Sequence, residues 1–158
     1  MARQIINETF ALQLPDSFAP LAAEELRAMG GNGGDPFRFG ARDAENHVVL
    51  LALWKQYPAL MSWALDLKSV AQKNEQLTRS LHQGSGYRLL EFLSLQAGEE
   101  KAEVYRFSYE REGVTQVSTN LLLRDGRTVY SLIFVGRQEN LDADRAMIAR
   151  VMESLEYV

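Results

Sequence analysis

Residues 87–136 are YRLLEFLSLQAGEEKAEVYRFSYEREGVTQVSTNLLLRDGRTVYSLIFVG, a segment long enough for several strands. Turn chemistry cuts it into four strands. Residues 87–95 form the first, and Gln96-Ala97-Gly98-Glu99-Glu100 is the turn that ends it. Residues 102–110 form the second, with Tyr105, Phe107 and Tyr109 on one face by a period of two. Glu112-Gly113 then turns the chain into a third strand over 114–124. Asp125-Gly126 is a two-residue hairpin signal, because glycine takes positive φ without steric cost, and 128–135 is the fourth strand. A helix over 142–155 follows. Ala143, Met147, Ile148, Val151, Met152 and Leu155 make a single apolar stripe along it. Asp142 is placed as its cap, and Glu139, Asp142 and Asp144 sit near the positive end of its dipole.

Upstream of the meander, Val48-Val49-Leu50-Leu51-Ala52-Leu53-Trp54 is apolar without alternation. A run of that kind suits a central strand covered on both faces. Tyr57-Pro58 ends it. The spacing then predicts one long helix over 59–81, with Leu60, Trp63, Leu67, Val70, Leu77 and Leu81 as its apolar face. Lys68, Gln72, Lys73, Glu75, Gln76 and Arg79 cover the other side, while Met61, Ala64 and Leu65 widen the apolar arc at its start. Towards the N-terminus, a short strand over 9–14 ends at Pro15. A helix is expected next, capped by Asp16 or Ser17, with Pro20 in its first turn and Gly30-Gly31 as its stop. Residues 37–40 look like a strand, and residues 43–46 like a turn.

Composition narrows the function classes. A chain of 158 residues has the usual length of one domain and buries roughly 70% of its unfolded surface without help from a metal or disulfide. We read residues 1–158 as a single α+β domain. Its core is a curved antiparallel sheet of about six to seven strands flanked by helices. The absence of cysteine removes thiolate chemistry and disulfides. The net charge of −4, with lysine and arginine scattered, disfavours nucleic acid, which needs a basic stripe. No run approaches the length of a membrane span. With Met1 as the start, no secretory leader is visible, and a cytoplasmic location is expected.

Three stretches carry a further likeness: Phe10-Ala11-Leu12-Gln13-Leu14-Pro15-Asp16-Ser17-Phe18, Tyr130-Ser131-Leu132-Ile133-Phe134, and Val151-Met152-Glu153-Ser154-Leu155. In the order of elements described above, they resemble the PsbP-like superfamily. That group takes its name from an extrinsic photosystem II protein. It also includes a yeast Ran-binding transport factor, DcrB-like proteins, and small adaptors that bind type VI secretion effectors. The resemblance implies a fold and a tendency to bind rather than to catalyse. It places no functional residue.

The search for chemistry returns little. The glycine-rich run Gly30-Gly31-Asn32-Gly33-Gly34 lacks the lysine and the following helix that a phosphate cradle needs, so it reads as a linker loop. His47 and His82 have no ligand-spaced neighbours, and His82 at a helix end reads as a favourable charge against the dipole. Gly84-Ser85-Gly86 is not a nucleophile elbow. Glu91 shares a strand face with Leu89 and Leu93, so it needs a partner. Arg88, Arg106 and Arg124 are the candidates, and a structural ion pair is favoured over a catalytic acid. No catalytic, cofactor or metal residue is assigned, and no cofactor is expected.

The protein is therefore expected to be a binding or adaptor module for a protein or peptide segment. The alternatives are a carrier of a small apolar ligand and an enzyme with a site the sequence does not reveal. Trp54, Tyr57, Met61, Trp63 and Leu65, which bracket the junction of the central strand and the long helix, are the candidate contact residues. Core packing is the competing explanation for them, because large apolar side chains bury well.

Overall fold

The computed structural model describes residues 1–32 and 34–158. In chain order the elements are β1 (Ala2–Ile6), β2 (Phe10–Leu14), β3 (Phe18–Pro20), α1 (Ala23–Ala28), β4 (Gly31–Asn32), β5 (Asp35–Pro36), β6 (Phe39–Asp43) and β7 (Val48–Gln56). There follow α2 (Ala59–Ser62), α3 (Leu67–Leu81), β8 (Arg88–Ala97), β9 (Glu100–Arg111), β10 (Val114–Asp125), β11 (Thr128–Arg137), α4 (Leu141–Glu153) and β12 (Glu156–Tyr157).

Seven strands make an antiparallel sheet in the order β3-β6-β7-β11-β10-β9-β8. The meander of residues 87–136 supplies four of them side by side, as its turn chemistry requires. Its three turns each contain two residues. Glu112 and Gly113 both have positive φ, as a type I′ turn demands. The last turn is shifted by one residue from the sequence reading: Asp125 pairs with Thr128, so Gly126 and Arg127 form it. Gly126 has φ of 58° and open space around its Cα. Gly126→Val is therefore expected to cost about 1–2 kcal/mol through backbone strain alone. Urea unfolding checks this, and unchanged stability would show that the turn accepts an L side chain.

The apolar run at β7 lies between β6 and β11, inside the sheet, and its side chains alternate between a closed core and the opposite face of the sheet. Val48, Leu50 and Ala52 face one core with Tyr130, Leu132, Phe134, Leu121 and Val104. That face is closed by Ile148, Val151, Met152 and Leu155, which are the predicted stripe, and by the β1-β2-β12 sheet. The helix begins one residue before the placed cap: Asn140 is the N-cap, and Asp142 lies inside the first turn of α4. β1 and β12 are absent from the sequence reading. They are short, and β12 pairs only with β2.

The N-terminal helix is shorter than expected. Phe18–Pro20 pairs with β6 as a strand, and α1 starts only after Ala22. The glycine-rich run carries the small β4-β5 hairpin, and Gly33 lies outside the described residues. Asp43 holds the 43–46 turn by accepting from the Glu45 and Asn46 amides, both at 3.1 Å.

The largest correction concerns residues 59–81. The helix breaks between α2 and α3, because Asp66 caps a fresh start: its carboxylate accepts from Lys68 N at 3.2 Å and Ser69 Oγ at 3.0 Å. The face that α3 buries is rotated from the predicted one: Leu67 and Val70 still pack, half-buried, against the core, whereas Leu77 and Leu81 do not. Ala71, Glu75 and Thr78 point at the sheet, against Tyr105 and Phe107 of β9. Glu75 accepts from Arg79 and from Tyr87 Oη, and Thr78 Oγ1 meets Tyr105 Oη at 3.2 Å. This polar seam turns the leucines away. Leu60 is 87% exposed, Trp63 83%, Leu77 62% and Leu81 66%.

At the start of α4, burial and the nearby Asp43 carboxylate push the Asp144 carboxyl up to about 6. A carboxyl whose affinity for protons is raised by folding favours the native state below its ordinary pKa near 3.8 and loses that contribution as pH rises through about 6. Asp144→Asn is thus expected to match the wild type near pH 4 and to exceed it at pH 7. The gain should be about 1 kcal/mol, after discounting for partial exposure. Thermal melts at the two pH values test the sign.

Candidate functional site

The two faces of the seven-stranded sheet are covered unequally. α4 and the small sheet close one face. On the other, α3 lies over β9 and β10 while α1 lies beside β6, with the Leu21 amide donating to the Gly40 carbonyl at 2.9 Å. The middle of that face, formed by β7, β11 and part of β10, lies beneath two grooves open to solvent.

One groove, which we call the Met61 groove, has a volume of about 590 Å³. Leu53, Val129 and Ser131 make its floor. Tyr57, Leu60, Met61, Leu65, Val70, Leu77 and Leu81 make its wall, with Lys55, Asp66 and Lys73 among the charged groups at its edge. The wall exists because α3 directs Glu75 and Thr78, not its leucines, at the sheet. Three of the sequence-derived candidates, Tyr57, Met61 and Leu65, therefore meet in one groove. Trp63 is the C-cap of α2 and stands exposed next to it in the chain. Trp54 is turned to the opposite face, where it packs on Tyr130 at 5.8 Å between ring centroids, with the Arg38 guanidinium 5.2 Å above its own ring. Leu77 and Leu81 are added to the site. Their spacing suits a core stripe and an exposed one equally, so periodicity alone places them in the core.

The second, the His82 groove, has a volume of about 580 Å³ and lies between α1 and the end of α3. Two cross-strand rows form its floor. Asn120, Ile133 and Leu51 are in register in one, and Ser118, Val135 and Val49 in the other. His82 is packed among rings, 4.6 Å from Tyr109 and 5.4 Å from Phe107 between centroids. Burial pushes its pKa down. It is therefore a neutral aromatic neighbour near pH 7 and not the favourable helix-end charge the sequence suggested.

Glu91 has found its partner among the three arginines considered. Arg106, buried on β9, donates to it and, through Nε, to Thr119 Oγ1 at 2.9 Å. Arg145 of α4 also donates to Glu91, at 2.9 Å. The carboxylate thus joins β8, β9 and α4 and has the form of a structural tie. Among the described residues, no three His, Asp or Glu side chains gather as a metal site, and no helix is long and apolar enough to cross a membrane.

No protein-family model matches the chain, and neither does any curated protein sequence. Solved structures do. The chain aligns with the cyanobacterial PsbP protein CyanoP of Synechocystis over 99% of its own length and 92% of that protein's, with a TM-score of 0.66 at 11% identity. The fold is PsbP-like. LpqN of Mycobacterium tuberculosis, described as involved in cell envelope biogenesis, aligns over 94% of this chain and 83% of its own, with a TM-score of 0.59 at 12% identity. A protein of Bacteroides thetaiotaomicron aligns over 94% of this chain and 45% of its own, with a TM-score of 0.57 at 11% identity. At such identities the PsbP-like likeness is one of backbone alone, so no side chain of the two grooves inherits a role from it.

Proposed function

We propose that this protein is a non-catalytic binding module that seats an apolar helical segment of a partner protein in the Met61 groove. One observation carries the reading: Leu60, Trp63, Leu77 and Leu81 are each more than 60% exposed, on two consecutive helices that border the groove. Large apolar side chains gathered in this way, rather than scattered singly, mark an interaction surface. α3 has 15 residues and is about 22 Å long at 1.5 Å per residue. A partner helix of roughly four turns laid along it matches that length and presents leucine-type anchors at i, i+3, i+4 and i+7. The length and leucine-rich wall of the Met61 groove suit a helical segment that enters from the side. A PsbP-like fold with a structural tie at Glu91 supports binding over catalysis.

The test places a photo-crosslinking residue at Leu81 in the protein's own cells and identifies the segment captured. A synthetic peptide of that segment should bind the wild type and lose at least tenfold in affinity against Leu77→Asp/Leu81→Asp. Both positions are exposed, so the variant should fold with stability within about 0.5 kcal/mol of the wild type. A peptide that binds both proteins equally would remove the groove from the reading.

A further inference from the structure

The His82 groove has chemistry that an apolar docking surface does not need. Ser118 and Asn120 are 3% and 4% exposed, yet both lie on its floor. They alternate along β10 with Val117, Thr119 and Leu121, so both direct their side chains to the same face. Asn120 Nδ2 donates to Ser118 Oγ at 2.9 Å. Among the described residues no fully buried side-chain oxygen or nitrogen is without a partner, so the Asn120 carbonyl oxygen, which this bond leaves unused, is open to the groove, where a ligand or water can donate to it. Above the floor stands a wall of rings, His82, Phe107 and Tyr109, with centroids 4.6–5.8 Å apart. Arg42, Arg111 and Glu25 are the charged side chains of the lining, a surplus of one positive charge in a chain of net charge −4. Arg42 is paired with Glu25 at 3.1 Å.

We propose that the His82 groove is a binding site for a planar aromatic carboxylate bearing a ring N–H or O–H donor. The ring lies against His82 and Tyr109. Its donor reaches the Asn120 carbonyl, and its carboxylate meets the Arg111 guanidinium, whose fork of N–H groups fits two oxygens. A volume of about 580 Å³ falls within the range of small-molecule sites, which combine apolar walls with a few convergent polar groups. The site stands apart from the reading of the Met61 groove and does not depend on it.

Indole-3-acetate is the probe. Titrated into the full chain and followed by amide chemical shifts and calorimetry, it is expected to bind one per chain, with shifts at Ser118, Asn120, His82 and Arg111. 1-Methylindole-3-acetate lacks the N–H and should bind at least tenfold more weakly, because it displaces water from the groove-facing Asn120 carbonyl without replacing its donor. Asn120→Leu keeps the floor filled and should bind the two probes alike. Arg111→Glu, at an exposed position, should weaken both at least tenfold. Thermal melts confirm that each variant is folded before it is titrated. Failure of indole-3-acetate to saturate at millimolar concentration would overturn the proposal and leave Asn120 and Ser118 as groups satisfied by water. Equal binding of the methylated probe to the wild type, or undiminished binding by Arg111→Glu, would overturn it as well.

Discussion

Val151→Asp is expected to abolish the cooperative native state. Val151 is fully buried, in the core formed by α4, the β1-β2-β12 sheet and one face of the seven-stranded sheet. Its neighbours there are apolar, so an aspartate would enter without a donor. Burying an unpaired polar or charged group belongs to the short list of changes that exceed about 4 kcal/mol. A domain of this size holds about 5–15 kcal/mol in total. The loss should appear as collapsed amide dispersion and a vanished near-UV signal. A Val151→Asp protein with a wild-type spectrum would mean that α4 does not dock as described.

Glu91→Ala is the second large effect, and its cause is a charge left behind rather than a contact removed. Arg106 is buried, and Glu91 is the anion that offsets its charge. Removing one partner of a buried pair typically costs 3–5 kcal/mol. The side of Glu91 that meets Arg145 is partly open to solvent, which puts the expectation at the lower end, about 3 kcal/mol. At this chain length that corresponds to a fall of roughly 6–12 °C in Tm. Glu91→Leu/Arg106→Met removes both charges and should recover most of the loss, since apolar replacement of a buried pair is often neutral. If the double variant is as unstable as the single, the loss is one of packing, not of charge.

The parts of the fold that could be read in the sequence were those whose signal is local. Turn dipeptides marked the meander, a single stripe marked α4, and an unalternating apolar run marked β7. What could not be read depends on partners distant in the chain. β1 and β12 are strands only because β2 lies between them. The break at residues 63–66 depends on whether Asp66 caps a helix or sits inside one, and the 3.6-residue period is the same in both cases. The apolar stripe of residues 60–81 was recognised, but its direction was not. Periodicity finds a face without saying what it faces, and the Glu75–Tyr87 and Thr78–Tyr105 contacts decide that question from outside the helix. The candidate residues divide along the same line. Tyr57, Met61 and Leu65 are close in sequence and meet, whereas Trp54 follows strand alternation to the other side. Ser118 and Asn120 did leave a trace, polar residues in the middle of a strand with neighbours on both sides, but that trace gains meaning only once α3 is known to leave the face open.

The pairing of β12 with β2 has a consequence in time. Glu156 is opposite Ala11, 145 residues later by subtraction of the two numbers. Translation at about 5–20 residues per second separates the two by roughly 7–30 s. Through that interval Phe10, Leu12 and Leu14 have been made, and the helix that will cover them has not. A nascent chain therefore carries Phe10, Leu12 and Leu14 without the cover of Ile148, Val151 and Met152 until residues 141–153 have been made.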